Sequence, residues 1–483
     1  MIADSPLIQP ETFSAAPFWI LLAGIAFVVV AIGYLRIHAF IALILSAIIV
    51  GTLTHTVDGS KNNAIVTAIG DTMQQFGATA GGIAWIIALA AIIGLCLMES
   101  GAADRIVRVM IRVFGEKNAG VAMLAGAFFL SIPVFFDTVF YLMVPLAQAM
   151  AFRLGKRYVY LVLAVVSGAT ITHSLVPPTP GPLIVVEKLD LNLGFTILGG
   201  ILLGIIPAIA ALKTGALLNR LFPVPLREGG VVKIHDLEMI AAKDDKDLPA
   251  FWVSTLPVLL PVVLISLSSI VQEFLKPESL GAIYPVIEVL GYKHVAMFLG
   301  AVIAISLMAK QKQLGKAALW KVLESPLGMA GTIILITSAG GAFGGMIRQS
   351  GIGDAITQLT DGSGFSFVLL AWLIAAVMKV AQGSSTTAMI TASGIMAGIL
   401  ASIQVQGGSL GYDPFYIFAA IAFGAMFCSW MNDSGFWIFC KMTGFTEAES
   451  LKTWTVVISA ISLVGLAELL LVHALIPHPF DGG

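Results

Sequence analysis

The chain repeats part of itself. Residues 94–104 read GLCLMESGAAD and residues 344–354 read GGMIRQSGIGD. At an offset of 250, Gly94, Ser100, Gly101 and Asp104 fall on Gly344, Ser350, Gly351 and Asp354. At an offset of 256, Tyr160, Ala164, Gly168 and Ala169 fall on Tyr416, Ala420, Gly424 and Ala425, and His38 falls on His294. A repeat this long implies two copies of one structural unit. In a chain that spans a bilayer, matched repeats with breaks at matching places point to a transporter, with the site where the repeats face each other.

Composition supplies the bilayer. Of 483 residues, 58% are hydrophobic and 11% are charged. The mean hydropathy is +0.96, and a soluble domain carries about 25% charged residues. Repeated long apolar runs make this an all-α polytopic membrane protein. The run from Phe18 to Gly33 lacks a basic region before it and a small-residue cleavage site after it, so it reads as a span, not a signal peptide. The net charge of −2 says nothing about partners, and no basic tract suggests nucleic acid, so none is expected. Cys96, Cys428 and Cys440 lie in apolar segments without metal spacing and read as packing residues. No cofactor, metal or P-loop is expected, which argues against direct drive by ATP.

Lysine and arginine set the expected topology. The loops 104–117 (Arg105, Arg108, Arg112, Lys117) and 153–157 (Arg153, Lys156, Arg157) are basic and therefore cytoplasmic. Residues 119–152 lie between them, interrupted by Pro133 and Asp137, and so form a re-entrant hairpin that returns to the same side. The counterpart at 365–400 is broken at Gly383 to Thr387 and has cation-poor flanks, so it enters from outside. Each half then carries five spans and one hairpin. The spans lie near 18–33, 38–57, 83–98, 158–189 and 194–219, then 251–271, 293–309, 328–347, 414–440 and 453–475. An odd count inverts the second copy. The expected organisation is an extracytoplasmic segment 1–17 and a first repeat 18–223, with hairpin 119–152 and broken helix 158–189. A cytoplasmic linker 224–249 follows. The second repeat is 250–476, with hairpin 365–400 and broken helix 414–440, and the tail 477–483 is outside. Residues 61–80 and 314–325 read as surface helices before the third span of each half. Residues 102–114 read as an amphipathic interfacial arm.

Four breaks carry the chemistry: Ile132 to Thr138, Thr172 to Pro182, Gly383 to Thr387, and Trp430 to Gly435. Irregular backbone at membrane depth must be buried in protein or line a wet cavity. Four prolines between Pro177 and Pro182 cannot continue a helix. Broken helices leave N-termini with free amides and a positive dipole end, which favour an anion. The hydroxyls of Ser384, Ser385, Thr386 and Thr387 add donors suited to a carboxylate or a polyhydroxy compound. Ionisable groups inside a membrane are functional by default. Asp137 and Asp433 could take a proton, coordinate a cation or cap a half-helix. His173 could carry a proton, donate to an anion or serve structure. Lys379 could neutralise a substrate carboxylate, snorkel or pair with an aspartate. The expected substrate site is Asp137, Thr138, His173, Ser174, Thr179, Gly181, Lys379, Gly383, Ser384, Ser385, Thr386, Thr387, Asn432, Asp433 and Ser434. Asp137, Asp433 and His173 are the candidates for proton coupling.

Five motifs in order, SIPVFFD at 131–137, HSLVPPTPGP at 173–182, KVAQGSSTTA at 379–388, NDSGFW at 432–437 and LKTWT at 451–455, resemble the gluconate permease family. These are sugar-acid:proton symporters of the ion-transporter superfamily. The resemblance runs from about residue 18 to 475. It implies a homodimer in the bacterial inner membrane, with the first three spans of each half as scaffold. The hairpins and broken helices would move together as an elevator. It also implies uptake of a small anionic sugar acid with protons, and no enzymatic activity. The chain departs from the family at Thr179, where His is common, at Lys379, where Arg is common, and at the bulky Tyr141, so the choice of acid stays open. The alternatives are sodium-coupled carboxylate transport, a channel, or an intramembrane enzyme built on Ser174 or Ser434 with His173.

Overall fold

Helices account for every regular element among the described residues. The computed structural model describes residues 15–35, 37–57, 63–154, 157–226, 247–275, 280–352, 355, 366–405, 410–477 and 479. Several expectations fall outside these: most of segment 1–17, linker residues 227–246, Lys156, Asp354, the start of the second hairpin at 365, and all but two residues of the tail.

The first half comprises α1 (Ala16–Val29), α2 (Ala39–Val57), α3 (Ala64–Glu99) and α4 (Ala102–Phe114). A helix pair follows, α5 (Ala119–Leu130) and α6 (Phe136–Leu154). Next come α7 (Tyr158–Leu175) and α8 (Pro180–Lys188), then α9 (Leu193–Leu203) and α10 (Ile205–Leu221). The second half opens with α11 (Phe251–Phe274), the short α12 (Tyr284–Gly291), α13 (Lys293–Lys312) and α14 (Lys316–Gln349). The pair α15 (Phe367–Gln382) and α16 (Ser385–Val405) follows, then α17 (Phe415–Gly424) and α18 (Ser434–Thr443). A π-helical turn at Leu451–Thr455 leads into α19 (Val456–Leu475). Both halves therefore run long helix, helix pair, interrupted helix, closing helix. Eight helical segments among the described residues are long and apolar enough to cross a membrane.

Local chemistry explains many of the ends. Asn63 caps α3 by accepting from the amides of Ile65 and Val66, and Asn192 caps α9 the same way. Pro180 opens α8 at a position where its missing amide costs nothing. The proline run is thus shorter as an interruption than the sequence suggests: α7 continues to Leu175, only residues 176–179 are irregular, and Pro180 and Pro182 sit in the first turn of α8. The second interruption is longer than expected, running from 425 to 433. Cys428 within it has a positive φ of 49°. The hairpin tips are also tighter, at residues 131–135 and 383–384, so Asp137, Thr138, Ser385, Thr386 and Thr387 already belong to first helical turns.

The expected surface helices at 61–80 and 314–325 are not separate. Each is continuous with its span, in α3 of 36 residues and α14 of 34. Gly81 and Gly82 cost a helix only about 1 kcal/mol each. That is too little to end one packed against α2, α13 and α14. Pro326 is likewise carried inside α14.

Packing divides the helices by role. The uninterrupted α2, α3, α13 and α14 pack on one another, with α11 against α13. The interrupted elements pack mostly among themselves: α7 against α5 and α6, and α15 against α16 and α17. The two sets meet where α16 lies along α14. There a Cβ on Gly344 would fall 2.5 Å from the Cα of Gly394, so the two backbones touch. Within the segment Tyr158–Lys188, 89% of the apolar window is buried inside the protein, against 33% for Glu447–Leu475. The first interrupted helix is therefore a core element, although it carries prolines and a histidine.

Candidate functional site

The site begins with one buried cation. Lys379 ends α15 only 1% exposed, and its Nζ donates to the Gly383 carbonyl and to Asp433 Oδ2, both at 2.5 Å. Asp433 is the N-cap of α18: its Oδ1 accepts from the Gly435 amide at 2.8 Å. Ser429 Oγ donates to Asp433 Oδ2 at 2.5 Å and accepts from Trp454 Nε1 at 2.9 Å. Of the three roles open to Lys379, the structure has it paired with an aspartate. Asp433 likewise caps a half-helix while sharing that ammonium.

The same network locks the second hairpin tip onto the second interruption. Asn432 Nδ2 and Trp430 Nε1 both donate to the Val380 carbonyl, at 2.7 and 3.1 Å. Gly383 turns left-handed at φ 82°, and a Cβ there would overlap the Asn432 carbonyl. Only glycine fits both conditions. Gly383→Ala is expected to lower stability by about 1–3 kcal/mol. Thermal unfolding of the detergent-purified variant tests this, and an unchanged midpoint would refute it.

These elements line an open cavity of about 360 Å³. Its walls include Asp137 with Phe135 and Phe136, Thr170, His173, Ser174 and Pro180, then Lys379, Ser384, Ser385, Thr386 and Thr387. Ser429, Asp433, Ser434, Gly435, Trp454 and Ile458 complete that side, and Ala39, Ile333, Ile336 and Thr337 come from α2 and α14. Four helices start at this cavity: α6 at Phe136, α8 at Pro180, α16 at Ser385 and α18 at Ser434. The four positive dipole ends converge, although α8, opening Pro-Gly-Pro, offers only the Gly181 amide, and the Gly435 amide of α18 and the Thr387 amide of α16 are taken by Asp433 and Ser384. That is a strong anion-binding environment.

Ten of the expected site residues line the cavity: Asp137, His173, Ser174, Lys379, Ser384 to Thr387, Asp433 and Ser434. Five do not. Thr138 borders a separate crevice of about 10 Å³ beside Gly94 and Leu97. Thr179 bonds to the His173 and Val176 carbonyls at 2.8 and 3.0 Å, closing the turn between α7 and α8. Gly181 allows α8 to approach Met389 of α16. Gly383 and Asn432 hold the tip contact just described. These five shape the backbone around the cavity.

Within the cavity the polar groups differ in how they are satisfied. Thr387 Oγ1 donates to Ser384 Oγ at 3.0 Å. Ser385 and Thr386 have no side-chain hydrogen bond among the described residues and are half-buried. His173 Nδ1 and Ser174 Oγ are buried without partners. Asp137 is exposed to the cavity and has neither hydrogen bond nor ion pair among the described residues. The Lys379 charge is taken up by Asp433, which leaves Asp137 as the uncompensated carboxylate of the cavity.

Sequence reasoning did not select Ser429, Trp454, Thr170 or Thr337. Trp454 lies in the LKTWT motif, and its ring meets Phe136 edge-on at 5.7 Å, tying the first hairpin to the entry of the closing helix. Ser429 precedes the expected break by one residue. Thr337 sits in the uninterrupted α14, where no local signal marks it.

The chain matches the family model described as GntP family permease over residues 16–476. It is 32% identical over 445 residues to a gluconate permease of Pseudomonas aeruginosa, covering 92% of this chain and 94% of that one. The Gnt-II system L-idonate transporter of Escherichia coli is 29% identical, with 95% and 100% covered. Among solved structures, the YdaH transporter of Alcanivorax borkumensis superposes with a TM-score of 0.60 at 12% identity, covering 91% of this chain and 98% of that chain. That likeness concerns the fold. Matched along nearly its full length and built from membrane-spanning helices, the chain belongs to the GntP family of permeases.

Proposed function

We propose that this permease takes up a small sugar acid, gluconate or a related hydroxy-carboxylate, by proton symport with alternating access. The observation that carries the reading is the convergence of four helix N-termini on a cavity holding one unpaired carboxylate. The helix starts and the free hydroxyls of Ser385 and Thr386 suit a polyhydroxy anion. The names of the relatives, a gluconate permease and an L-idonate transporter, point to the same class. Asp137 supplies the coupling. Two like charges 5 Å apart repel by about 3 kcal/mol at an effective dielectric near 20. A proton on Asp137 therefore favours the substrate anion, and the anion favours the proton, by the same free energy.

Lys379 bears on the choice of ion. Its ammonium already fills the position between a tip carbonyl and a carboxylate that a loose sodium ion would otherwise take. The rest of the reading is the inverted repeat with re-entrant hairpins, the interrupted elements moving as an elevator past α14, and a homodimer in the bacterial inner membrane with both termini outside. The recurring order of elements supports the repeat, and the close α14–α16 contact supports the elevator.

The test is uptake of radiolabelled gluconate into proteoliposomes under an inward proton gradient, with sodium present or replaced by choline. Proton-dependent, sodium-independent accumulation is expected. Ser385→Ala and Thr386→Ala are each expected to raise the KM about 5- to 10-fold, the loss of one hydrogen bond of about 1 kcal/mol. Folded protein that moves neither gluconate nor idonate under either gradient would sink the reading.

A further inference from the structure

We propose that Glu187 and Lys188, at the far end of α8, form a latch that holds the interrupted elements against the uninterrupted helices in the state described here and limits the rate at which they part. The proposal rests on the reading that these two sets move past each other, and it names the bonds that the motion must break.

α8 starts at the cavity with Pro180 and ends at Lys188. It packs chiefly on α16, a member of its own set, and only lightly on α3 and α14. Its last turn differs. Lys188 Nζ donates to Thr79 Oγ1 of α3 and to the Gly341 carbonyl of α14, both at 3.3 Å. Thr79 in turn donates to the Gln75 carbonyl at 2.9 Å, so its oxygen is left to accept. A Cβ on Gly341 would overlap Thr79, which puts both acceptors of Lys188 where α3 and α14 touch. Glu187 Oε1 accepts from Nζ of Lys293, the first residue of α13.

Two adjacent residues of one set thus reach three helices of the other. Among the described residues, no other side chain joins α5–α8 or α15–α18 to α2, α3, α13 or α14 by a hydrogen bond or ion pair. Elsewhere the sets meet by close packing, as where Gly344 touches Gly394 and Gly340 touches Ile390. Apolar contact is non-directional, so one register of a sliding surface resembles the next. The ties at Glu187 and Lys188 have fixed partners and exist in one register only. They are also weak enough to open. The side chains of Lys293 and Glu187 are 26% and 30% exposed, and an ion pair so close to water shifts an equilibrium by about fivefold at most. Such a latch biases the state without freezing it.

The experiment measures exchange of labelled for unlabelled gluconate in proteoliposomes at equal pH on both sides, which separates the conformational step from the proton gradient. Glu187→Gln, Lys293→Met and Lys188→Met are each expected to raise the maximal exchange rate about three- to fivefold, because leaving the latched state limits turnover. A gain of rate cannot come from a misfolded variant. The charge swap Glu187→Lys with Lys293→Glu is expected to return the rate to within about twofold of wild type. In a second arm, Glu187→Cys with Lys293→Cys is oxidised with copper phenanthroline. Exchange is expected to stop and to return on reduction, while each single-cysteine variant, which keeps the native Cys96, Cys428 and Cys440, is unaffected. Exchange blocked by the cross-link, with no rate gain in any of the three substitutions, would overturn the latch and leave the relative motion standing. Cross-linked protein that still exchanges at the wild-type rate would bring down the motion itself, and the latch with it.

Discussion

Asp137→Asn is expected to abolish accumulation of sugar acid against a gradient while leaving exchange of labelled for unlabelled substrate intact. The amide keeps the size of the carboxyl and mimics its protonated form, so the cavity loses its uncompensated negative charge and, with it, the proposed proton site. Repulsion between Asp137 and the bound anion disappears, and substrate affinity should lose its pH dependence. In the wild type, affinity is expected to fall as rising pH ionises Asp137, since the ionised form opposes the anion. In the variant the profile should be flat at the high-affinity level. The measurement pairs proton-driven uptake with counterflow in the same liposomes across a pH series. Retained proton-driven accumulation in Asp137→Asn would remove this residue from the coupling step.

Lys379→Met should be the most damaging single change in the cavity. The substitution takes away an ammonium that serves the Gly383 carbonyl and Asp433 at once. Asp433 is then left with a half-buried charge whose cation is gone. Removing one partner of a buried pair costs about 3–5 kcal/mol, more than removing both, because the surviving charge is stranded. The hairpin tip loses its tie to the second interruption in the same step. Unfolding followed in detergent should show the loss, and uptake should vanish. Adding Asp433→Asn to Lys379→Met removes the stranded charge and keeps an N-cap for α18, since asparagine caps as well as aspartate. The double variant is expected to regain most of the stability and a measurable part of the uptake. A double variant no more stable than Lys379→Met would mean that the pair is not what holds the tip.

The comparison of Lys379 with its neighbours shows what a linear reading reaches. The four interruptions are legible because each rests on residues a few positions apart: Pro133 and Asp137 at the first tip, prolines at 177–182, a glycine followed by hydroxyl residues at 383–387, and an aspartate placed to cap at 433. Their lengths are not legible. Proline in a first turn starts a helix as readily as it stops one, so Pro180 and Pro182 belong to α8. Gly81 and Gly82 look like a boundary, yet α3 runs through them because neighbouring helices pack along its length. The three roles open to Lys379 could not be separated in sequence, since its partner Asp433 lies 54 residues on.

What the sequence determined by itself was the membrane class, the doubled order of elements, the places where helices break and ten of the residues that meet in the cavity. Those follow from periodicity, apolar length and the backbone limits of proline and glycine, all of which act within one turn or one span. The tertiary structure alone decided the pairings. Asp433 takes Lys379 and leaves Asp137 bare, Thr179 and Asn432 turn inward to hold backbone, and α14 brings Thr337 to a cavity it shows no local sign of lining. These depend on which distant segments share a small volume. In a low-dielectric interior each buried polar group must find a partner, and that partner is set by packing across the chain, not by spacing along it.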